Sequence, residues 1–531
     1  MLLRRKLSLI TKAAKGSSRT TNVLNNSRAT LIYRIILILS NFVIRTVFIQ
    51  NLGVQYTGVT SVFTDVLSVL SLAELGFGEA ISFALYKPLA ENDKNRIQEL
   101  LSFFRVVYRW IAVIVMVGGI ICVPLMPYLL KDVTDIKENI YIIFFLYVFK
   151  SAVSYLLVYR ATFLIATQNS RIVSSIDTVQ IGIKTIVQIC ILLFSKSFYA
   201  YLVAELLLTV GRNIVVSYVT KKMYQDIDFN ANYKVNLKKE AKIVNNVVAM
   251  AMYKVSSVIL HGTDSIIISS FVNTATAGIL SSFRLIPNSL QIAYEQVVLS
   301  ITPSLGNLLA EEDVEKRSYE VFKKLFFISF WIAFFCVVSM YVLLNPFANI
   351  IWFSEDLLLS QFTIGCIVAN SFLACLTVPF QSFRTSAGLF VYGKYRPVIM
   401  AILNIIISLA LVRPLGVNGV LLGTVLSRLL TQTWYDPYLI FKRVFKKSVK
   451  KFYIQFGGYV ILTIGCCYGT QMIAQLLSVG NKYIDFVIAV ICCVIVPNLL
   501  MFILFYRTEE FKYFIQLARS VVFKLLRKKN V

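Results

Sequence analysis

Long apolar stretches separated by short polar ones extend along the chain from Leu31 to Tyr506. About 20 apolar residues are enough to cross a bilayer as a helix that rises about 1.5 Å per residue. We therefore predict an all-α polytopic membrane protein with about 14 transmembrane helices. The predicted spans are 30–51, 57–86, 105–130, 139–166, 172–194, 198–220, 242–271, 274–305, 322–350, 357–384, 396–412, 416–440, 452–477 and 482–507.

Two of these spans carry a stripe of polar residues along one face. At about 100° per residue, Arg34, Asn41 and Arg45 of the first span lie within roughly 20° of one line. The seventh span repeats this stripe about 220 residues later. The members of the second stripe are Lys254, His261 and Ser265, with Asp264 to one side. Because a charged side chain is costly against lipid, the stripes are predicted to face a shared water-filled cavity.

The spacing of the stripes belongs to an internal repeat. Gly58, near the start of the second span, matches Gly278 at the same offset of about 220 residues. Spans one to six and seven to twelve are therefore predicted to form two related six-helix bundles. The predicted segments are a basic cytoplasmic N-terminal segment (1–29), an N-terminal six-helix bundle (30–222), a basic linker (223–241), a C-terminal six-helix bundle (242–441), a basic loop (442–451), helices 13 and 14 (452–507) and a basic tail (508–531).

Further polar residues lie deep within the predicted spans. Asp65 and Glu79 share one face of the second span, and Arg284, Gln291 and Glu295 share a stripe of the eighth. Charge is most costly at mid-depth in the bilayer. These residues are therefore predicted to face the same cavity.

Other charged residues within the spans are open to a structural interpretation, as interhelical salt bridges or as side chains that reach the headgroups. This interpretation is favoured for four arginines near predicted cytoplasmic ends, which are Arg160, Arg212, Arg384 and Arg428. No individual role is assigned to the rest, which are Lys150, Asp177, Lys184 and Glu205.

Positive charge is distributed unevenly between the two sides of the predicted membrane. The chain holds 53 Lys and Arg against 27 Asp and Glu, for a net charge of +26. With the N-terminus in the cytoplasm, the cytoplasmic loops hold roughly 36 Lys and Arg and the outward loops about 5. This asymmetry predicts a multi-pass protein with both termini in the cytoplasm. It also accounts for the basic charge through the anionic bilayer, without a nucleic-acid partner.

The sequence offers no candidate catalytic or metal site. The nine cysteines lie in apolar runs and there is one histidine, His261, so a zinc cluster or a hydrolytic triad cannot be assembled. We therefore expect a protein that is not an enzyme and that has no cofactor, apart from protons or Na+ that an ion gradient would supply.

Four motifs resemble the polysaccharide-biosynthesis flippases, the Wzx-type exporters of O-antigen, capsule and exopolysaccharide repeat units. The motifs are Asn51-Leu-Gly-Val-Gln-Tyr-Thr-Gly58, Ala73-Glu-Leu-Gly-Phe-Gly78, Gly393-Lys-Tyr-Arg-Pro397 and Pro414-Leu-Gly-Val-Asn-Gly-Val-Leu-Leu-Gly423. These exporters belong to the multidrug/oligosaccharidyl-lipid/polysaccharide (MOP) superfamily, together with the lipid II flippases and the MATE drug exporters. The resemblance covers essentially the whole chain.

The resemblance implies two six-helix bundles around a cationic central cavity, plus two C-terminal helices, in the bacterial cytoplasmic membrane. It implies transport of undecaprenyl-pyrophosphate-linked oligosaccharides to the outer leaflet by alternating access, driven by an ion gradient, with a polysaccharide polymerase and a chain-length regulator as partner proteins. By helical position, the expected substrate-binding residues are Arg34, Asn41, Arg45, Lys254, Arg284 and Gln291. The expected ion-coupling or counter-charge residues are Asp65, Glu79, His261, Asp264 and Glu295.

Two other functions stay open. A related exporter would carry another cargo, such as lipid II, a teichoic-acid precursor or a drug. A membrane-embedded glycan polymerase or ligase is less favoured, because that class of enzyme needs large outward loops rich in Arg and His. The predicted outward loops of this chain are short and contain no histidine.

Overall fold

The computed structural model is all-helical over the residues that it describes, which are 19–74, 77–231, 233, 258, 262–299, 301–309, 314–389, 392–393, 395–516 and 519. The longer helices are α1 (Arg19–Leu52), α2 (Val54–Leu70), α3 (Phe77–Glu91), α4 (Lys94–Cys122), α5 (Ile140–Tyr155), α6 (Val158–Ala166), α7 (Ser170–Cys190), α8 (Phe198–Met223), α9 (Asp264–Phe271), α10 (Thr274–Leu299), α11 (Thr302–Leu309), α12 (Val314–Ile351), α13 (Gln361–Ser386), α14 (Arg396–Leu415), α15 (Val417–Leu430), α16 (Gln432–Ile440), α17 (Lys450–Leu476) and α18 (Lys482–Phe505). The predicted all-α class is confirmed.

Within the described ranges, nine helices are long and apolar enough to cross a membrane, and the bent pair of α5 and α6 would make a tenth. The seventh predicted span, 242–271, lies mostly outside the described residues. Each of the other predicted spans coincides with a helix or with two consecutive helices. The exact number of 14 therefore stays a prediction.

Four predicted spans are each divided into two helices. Between α2 and α3 a single 3-10 turn, Ser71–Glu74, interrupts the second span. The axes of α5 and α6 differ by 42°, with the change of direction at Leu156 and Leu157. Similar divisions separate α10 from α11 and α15 from α16. The break at Leu156 and Leu157 is apolar, whereas the break between α2 and α3 contains Ser71 and Glu74 and the break between α15 and α16 lies at Thr431. Apolar composition alone therefore does not predict all of these breaks.

The described residues divide into two compact units, Met1–Ser281 and Ser282–Val531. In the N-terminal unit, α1 packs along α7. Asn26 fixes the start of this contact, because its side chain donates to the carbonyl of Gln168 at 2.8 Å and accepts from the amide of Arg171 at 2.9 Å. The buried core beneath is aromatic, with the Phe63 ring in edge contact with Phe144. The starts of α1 and α7 are thus joined by hydrogen bonds, and α2 and α5 by aromatic packing.

In the C-terminal unit, the 38-residue helix α12 is the central element. It packs against α13, α17 and α18. Its aromatic side chains form the middle of the core, where the rings of Phe330 and Tyr459 stack at 3.8 Å. Helices α14 and α15 form a tight hairpin, in which a Cβ on Gly419 or Gly423 would lie 2.1 Å from the Leu411 carbonyl or 2.3 Å from the Ser408 hydroxyl. Glycine is therefore required for this close approach.

Candidate functional site

The polar stripe of α1 has two exposed members and one that is half-buried. Arg34 and Asn41 are exposed, and Arg45 is half-buried and donates to the hydroxyl of Ser281 at 3.3 Å. Of the exposed apolar residues of the same helix, Ile32, Leu39 and Val43 lie roughly 140–180° around the axis from this stripe, whereas Leu31 and Ile35 lie only about 60° and 100° from it. The exposed apolar surface of α1 is thus centred away from the polar stripe but extends towards it.

Three helices of the N-terminal unit bring charged side chains together in its interior. Glu205 of α8 accepts from Lys184 of α7 at 2.6 Å and lies 3.3 Å from the ammonium of Lys150 of α5. The buried ring of Tyr201 is close enough to both Arg45 and Glu205 to interact electrostatically. We call Arg45, Lys150, Lys184 and Glu205 the N-terminal cation cluster. Its three cationic groups and one carboxylate leave a surplus of positive charge.

The N-terminal cation cluster lies within helices, or for Lys150 within a bent helix pair, that are long and apolar enough to cross a membrane. Glu205 is seven residues from the start of α8, which corresponds to about 10 Å along the axis. The side chains of Lys150, Lys184 and Glu205 are only 23%, 26% and 16% exposed. Charges at this depth are costly unless they are paired or face water.

A cavity of about 280 Å³ adjoins the cluster at Lys150. Besides Lys150, its walls are rich in hydroxyl groups from α2, the following 3-10 turn, α5 and α8. The hydroxyl-bearing residues are Thr64, Ser68, Ser71, Tyr147, Ser151, Ser154 and Thr209. Five of these hydroxyls already donate to backbone carbonyls, so they can only accept from a ligand; they are those of Thr64, Ser68, Ser71, Ser154 and Thr209. The cavity therefore offers one ammonium group for a negatively charged part of a ligand, and several acceptor oxygens for hydroxyl groups that donate.

A second ion pair joins α7 and α8 farther along. Arg212 donates to Asp177 at 2.7 Å, seven residues from Glu205 on α8 and seven from Lys184 on α7. Because residues seven apart lie on the same face of a helix, the antiparallel pair α7 and α8 is joined by two successive ion pairs. This arrangement fits the structural interpretation of Arg212, and the cations of the cluster from outside the α7–α8 pair are Arg45 of α1 and Lys150 of α5.

The predicted acidic residues of the N-terminal unit are buried to different degrees. Asp264 at the start of α9 is 1% exposed, and Asp65 of α2 is half-buried. A Cβ at Gly262, just before α9, would lie 3.6 Å from the backbone oxygen of Asp65, so these two segments are in contact. Lys254, His261 and the side chain of Glu79 lie outside the described part of the chain, and their roles stay predictions.

In the C-terminal unit, the predicted residues Arg284, Gln291 and Glu295 all lie on α10 and are half-buried. Gln291 donates to Glu295 at 2.8 Å. Glu295 is also close enough to interact electrostatically with Arg428 of α15, which is only 6% exposed. The structure thus brings the predicted residues Gln291 and Glu295 together. It also places beside Glu295 an arginine, Arg428, for which a structural role was favoured from the sequence.

Arg428 is held in the interior by neutral partners as well. Its guanidinium donates to Asn370 of α13 at 3.0 Å and to Gln432 of α16 at 3.3 Å. Nearby, Asp436 is 2% exposed and lies 2.9 Å from Arg396 and 3.5 Å from Arg384. Arg384 thus has the interhelical ion pair expected of it.

The fold resembles those of several solved transporter structures. It matches the lipid II flippase MurJ in an inward closed conformation with a TM-score of 0.64 at 15% identity, over 91% of this chain and 98% of that one. It matches an inward-facing MATE-family multidrug resistance transporter of the MOP superfamily with a TM-score of 0.57 at 14% identity, over 77% and 96%. A MATE transporter of Vibrio cholerae gives 0.53 at 12% identity, over 81% and 99%. No protein-family model and no curated protein matches the sequence.

The chain has a MOP-type fold. This agrees with the fold class predicted from the sequence, and the match to MurJ covers nearly the full length of both chains. The identities of 12–15% establish the fold alone, so the cargo has to be argued from the chain itself.

The resemblance motifs acquire a packing role in this MOP-type fold. A Cβ at Gly58 would lie 1.9 Å from the carbonyl oxygen of Thr274, and one at Gly278 would lie 2.6 Å from the amide nitrogen of Gly58. The two glycines that the internal repeat matches are therefore in direct contact. Gly53 has a φ of 93°, which a residue with a side chain rarely adopts.

Lys150, Lys184 and Glu205 had no role assigned from the sequence, although the structure joins them in one cluster of ion pairs. A signal was present in the chain. Asp177 and Lys184 are seven residues apart, and so are Glu205 and Arg212, with the order of charges that two antiparallel neighbours require. Lys150 has no such pattern, and only the packing of α5 against α8 reveals its partner.

Proposed function

We propose that this protein is a flippase that moves undecaprenyl-pyrophosphate-linked oligosaccharide repeat units from the inner to the outer leaflet of the bacterial cytoplasmic membrane, for surface polysaccharide synthesis. Transport proceeds by alternating access through a cationic cavity, driven by an ion gradient. The cargo carries a negatively charged pyrophosphate, a hydroxyl-rich glycan and an apolar tail. Its transporter needs buried cations beside hydrogen-bonding groups.

The observation that carries this proposal is the surplus of positive charge at hydrocarbon depth beside a hydroxyl-lined cavity. In the N-terminal cation cluster, Lys150 and Lys184 both contact Glu205, and Arg45 lies close to Tyr201, which is also close to Glu205. A cluster that served only to join helices would be expected to balance its charges, as Asp177 and Arg212 do. Here three cationic groups accompany one carboxylate, and one of the three, Lys150, lines the cavity.

The roles follow from the chemistry of each side chain. Arg45 and Arg284, with Arg34 and Lys254, hold the pyrophosphate and any acidic sugars, because a guanidinium can donate two parallel hydrogen bonds to phosphate oxygens. Lys150 adds a point charge beside the hydroxyl-lined cavity. The amides of Asn41 and Gln291 hydrogen-bond sugar hydroxyls.

Lipid II is the second candidate cargo, and the fold match to the lipid II flippase MurJ favours it. Lipid II also combines a polyprenyl pyrophosphate with sugars, so the same cationic groups would serve. The two cargoes differ in the consequence of losing the transporter. Loss of a lipid II flippase stops cell-wall growth, whereas loss of a repeat-unit flippase removes surface polymer.

Deletion of the gene in its own host tests the proposal. We expect loss of surface polysaccharide and accumulation of the undecaprenyl-pyrophosphate-linked repeat unit, measured by mass spectrometry of membrane lipids. Growth arrest with accumulated lipid II would instead establish the second cargo. A deletion strain in which neither lipid accumulates would refute both.

Variants expressed in the deletion strain test the binding residues. Arg45→Ala and Arg284→Ala are expected to abolish surface polysaccharide while the protein reaches the membrane at normal levels, as measured by immunoblot. Arg413→Ala, outside the proposed site, is the matched control and should restore the polymer. Full activity in both site variants would contradict the assignment of these arginines.

A further inference from the structure

A second polar cavity lies at one end of the C-terminal unit, away from the residues discussed so far. It has a volume of about 340 Å³ and lies among the ends of α12, α17 and α18 and the start of α13. Its walls are rich in carboxamide side chains, and Phe486 of α18 contributes an aromatic ring. The carboxamide residues are Asn345, Asn349, Gln361, Gln471 and Gln475.

Several of these amides retain hydrogen-bonding capacity. Asn345 donates its Nδ2 to the carbonyl of Leu359 at 2.7 Å, and its buried Oδ1 has no partner within the described residues. Gln361 donates to Gln471 at 3.2 Å. The side chains of Asn349 and Gln475 form no hydrogen bond with the described residues. A buried amide oxygen without a partner is costly, and a ligand that donates a hydrogen bond would remove that cost.

The rim of the cavity is already ordered. Asp485 accepts from the hydroxyl of Ser478 and from the amide of Val479, both at 2.8 Å. Asn481 caps α18 through the amides of Tyr483 and Ile484. The Asp485 carboxylate is thus occupied by the loop, and the groups left to a ligand are mainly neutral amides.

We propose that this cavity binds a neutral sugar unit. Each carboxamide offers donors and an acceptor, which match the hydroxyl groups around a pyranose ring. Phe486, Ala474 and Ala489 offer an apolar surface for the C–H face of the ring. The volume lies within the range of roughly 300–1,000 Å³ that small-molecule sites occupy.

The charge of the cavity disfavours other ligands. Lys482 is the cation in its lining, and Asp485 is the carboxylate. An anion would find one ammonium group, and a metal ion would find a carboxylate that already accepts two hydrogen bonds. A hydrocarbon tail would leave the amides unsatisfied.

The position of the cavity indicates which side of the membrane supplies the sugar. Helix α17 begins at Lys450, at the end of the basic segment 442–451, and its 27 residues extend about 40 Å, with the cavity at the far end. Because Lys and Arg mark the cytoplasmic side, the cavity is expected to open outside the cell. The site is separate from the proposed transport residues, and its existence does not depend on the proposed function.

Equilibrium binding to the purified full-length protein tests the site. The probes are glucose, galactose, N-acetylglucosamine and rhamnose, measured by saturation-transfer NMR and calorimetry in phosphatidylcholine nanodiscs. We expect at least one sugar to bind saturably. We expect Gln475→Leu, and separately Asn349→Leu, to weaken that binding roughly tenfold through lost hydrogen bonds. Gln455→Leu, at the opposite end of α17, is the matched control and should change the affinity less than twofold.

Three results would overturn the proposal. The first is that none of the four sugars binds. The second is that binding is equal in the wild type and in both cavity variants. The third is that glycerol phosphate, the headgroup of phosphatidylglycerol, binds at the site and the sugars do not. Thermal unfolding of each variant in the same nanodiscs ensures that a loss of binding is read only from folded protein.

Discussion

Lys150 is the residue that distinguishes a binding role from a structural role in the N-terminal cation cluster. Lys150 and Lys184 both contact Glu205, at 3.3 Å and 2.6 Å. Lys150 also lines the hydroxyl-rich cavity, whereas Lys184 is not part of its lining. The two lysines therefore share an ion-pair partner and differ in access to a ligand.

Replacing each lysine by glutamine separates the two roles. Lys150→Gln is expected to reduce transport at least tenfold, because a cation is lost from the cavity wall. Lys184→Gln is expected to keep most of the transport activity, because Lys150 still compensates Glu205. The measurement is surface polysaccharide per unit of membrane protein in the deletion strain. Equal losses in the two variants would show that the cluster acts only as a structural unit.

The sequence predicts which face of a helix a residue lies on, because that depends on the helical period, but it does not predict the residue's partners on other helices. The helical period placed Arg34, Asn41 and Arg45 on one line of α1, and the structure shows the first two exposed and Arg45 half-buried. It could not reveal that Arg45 donates to Ser281, or that Lys150 lies beside Glu205. Such partners belong to different helices, and their distance is fixed by packing and not by spacing along the chain.

At the scale of elements, α7 and α8 are joined by two ion pairs of opposite polarity. Lys184 contacts Glu205, and seven residues away Asp177 contacts Arg212. Since hydrogen-bonded pairs within membranes contribute about 0.6 kcal/mol on average and up to roughly 1.7, one pair stabilises the contact modestly. Bringing two like charges together at this depth is much less favourable.

Charge reversal tests this helix contact. Asp177→Arg places two guanidinium groups side by side, and we expect a clear drop in the thermal unfolding midpoint of the purified protein. The second change Arg212→Asp restores opposite charges and should recover at least half of the lost stability. A double variant no more stable than Asp177→Arg alone would show that the pair does not hold α7 to α8.

The contact between Gly58 and Gly278 requires the backbones of α2 and α10 to lie close together, which a substitution at Gly58 can test. Gly58→Ala would place a Cβ 1.9 Å from the Thr274 carbonyl oxygen, so the two backbones would have to separate. We expect a loss of roughly 1–3 kcal/mol of stability, the usual effect of overpacking. Gly182→Ala is the matched control, because its Cβ would meet no atom within 4 Å.

The Gly58→Ala and Gly182→Ala proteins are compared by thermal unfolding in detergent. The control should be neutral or slightly more stable, since alanine favours a helix by roughly 0.5–1 kcal/mol over glycine. Similar midpoints for the two variants would mean that α2 and α10 tolerate separation at this point.

The elements themselves were largely predictable, because a continuous apolar run of about 20 residues has few other solutions. The positions at which these helices are interrupted were not predictable from the sequence. Nothing in the apolar run from Ile140 to Ala166 marks the 42° bend at Leu156 and Leu157, since neither residue is glycine or proline. Conversely, Pro379 lies within the uninterrupted helix α13. Tertiary packing decides where such helices bend.

At the scale of the whole molecule, the distribution of Lys and Arg makes the orientation testable. Alkaline phosphatase, which is active only outside the cytoplasm, can be fused after Gly480 or after Ser448. We expect activity from the first fusion and none from the second, because segment 442–451 is basic and the loop at 477–481 is not. The opposite pattern would invert the membrane topology and place the proposed sugar site in the cytoplasm.

Coupling to an ion gradient is the remaining whole-molecule property, and the buried carboxylates are the groups that can report it. Asp264 is 1% exposed, and a proton or Na+ bound to its carboxylate would change the electrostatics of this buried position. Asp65, half-buried on α2, is in the segment that contacts Gly262, just before α9. Binding of an ion at a contact between two helices can couple to helix movement where the two conformations bind the ion differently.

Transport into proteoliposomes with and without an imposed proton or Na+ gradient measures this coupling. We expect the wild-type rate to rise with one of the gradients, and the rate of Asp264→Asn to be the same in both conditions, because an amide does not bind the coupling ion. The exposed Asp356→Asn is the matched control and should respond as the wild type does. If the wild type ignores both gradients, ion-driven transport is excluded. If Asp264→Asn and Asp65→Asn both retain the response, the coupling lies elsewhere, because the group that binds the ion cannot be one whose loss leaves the response intact.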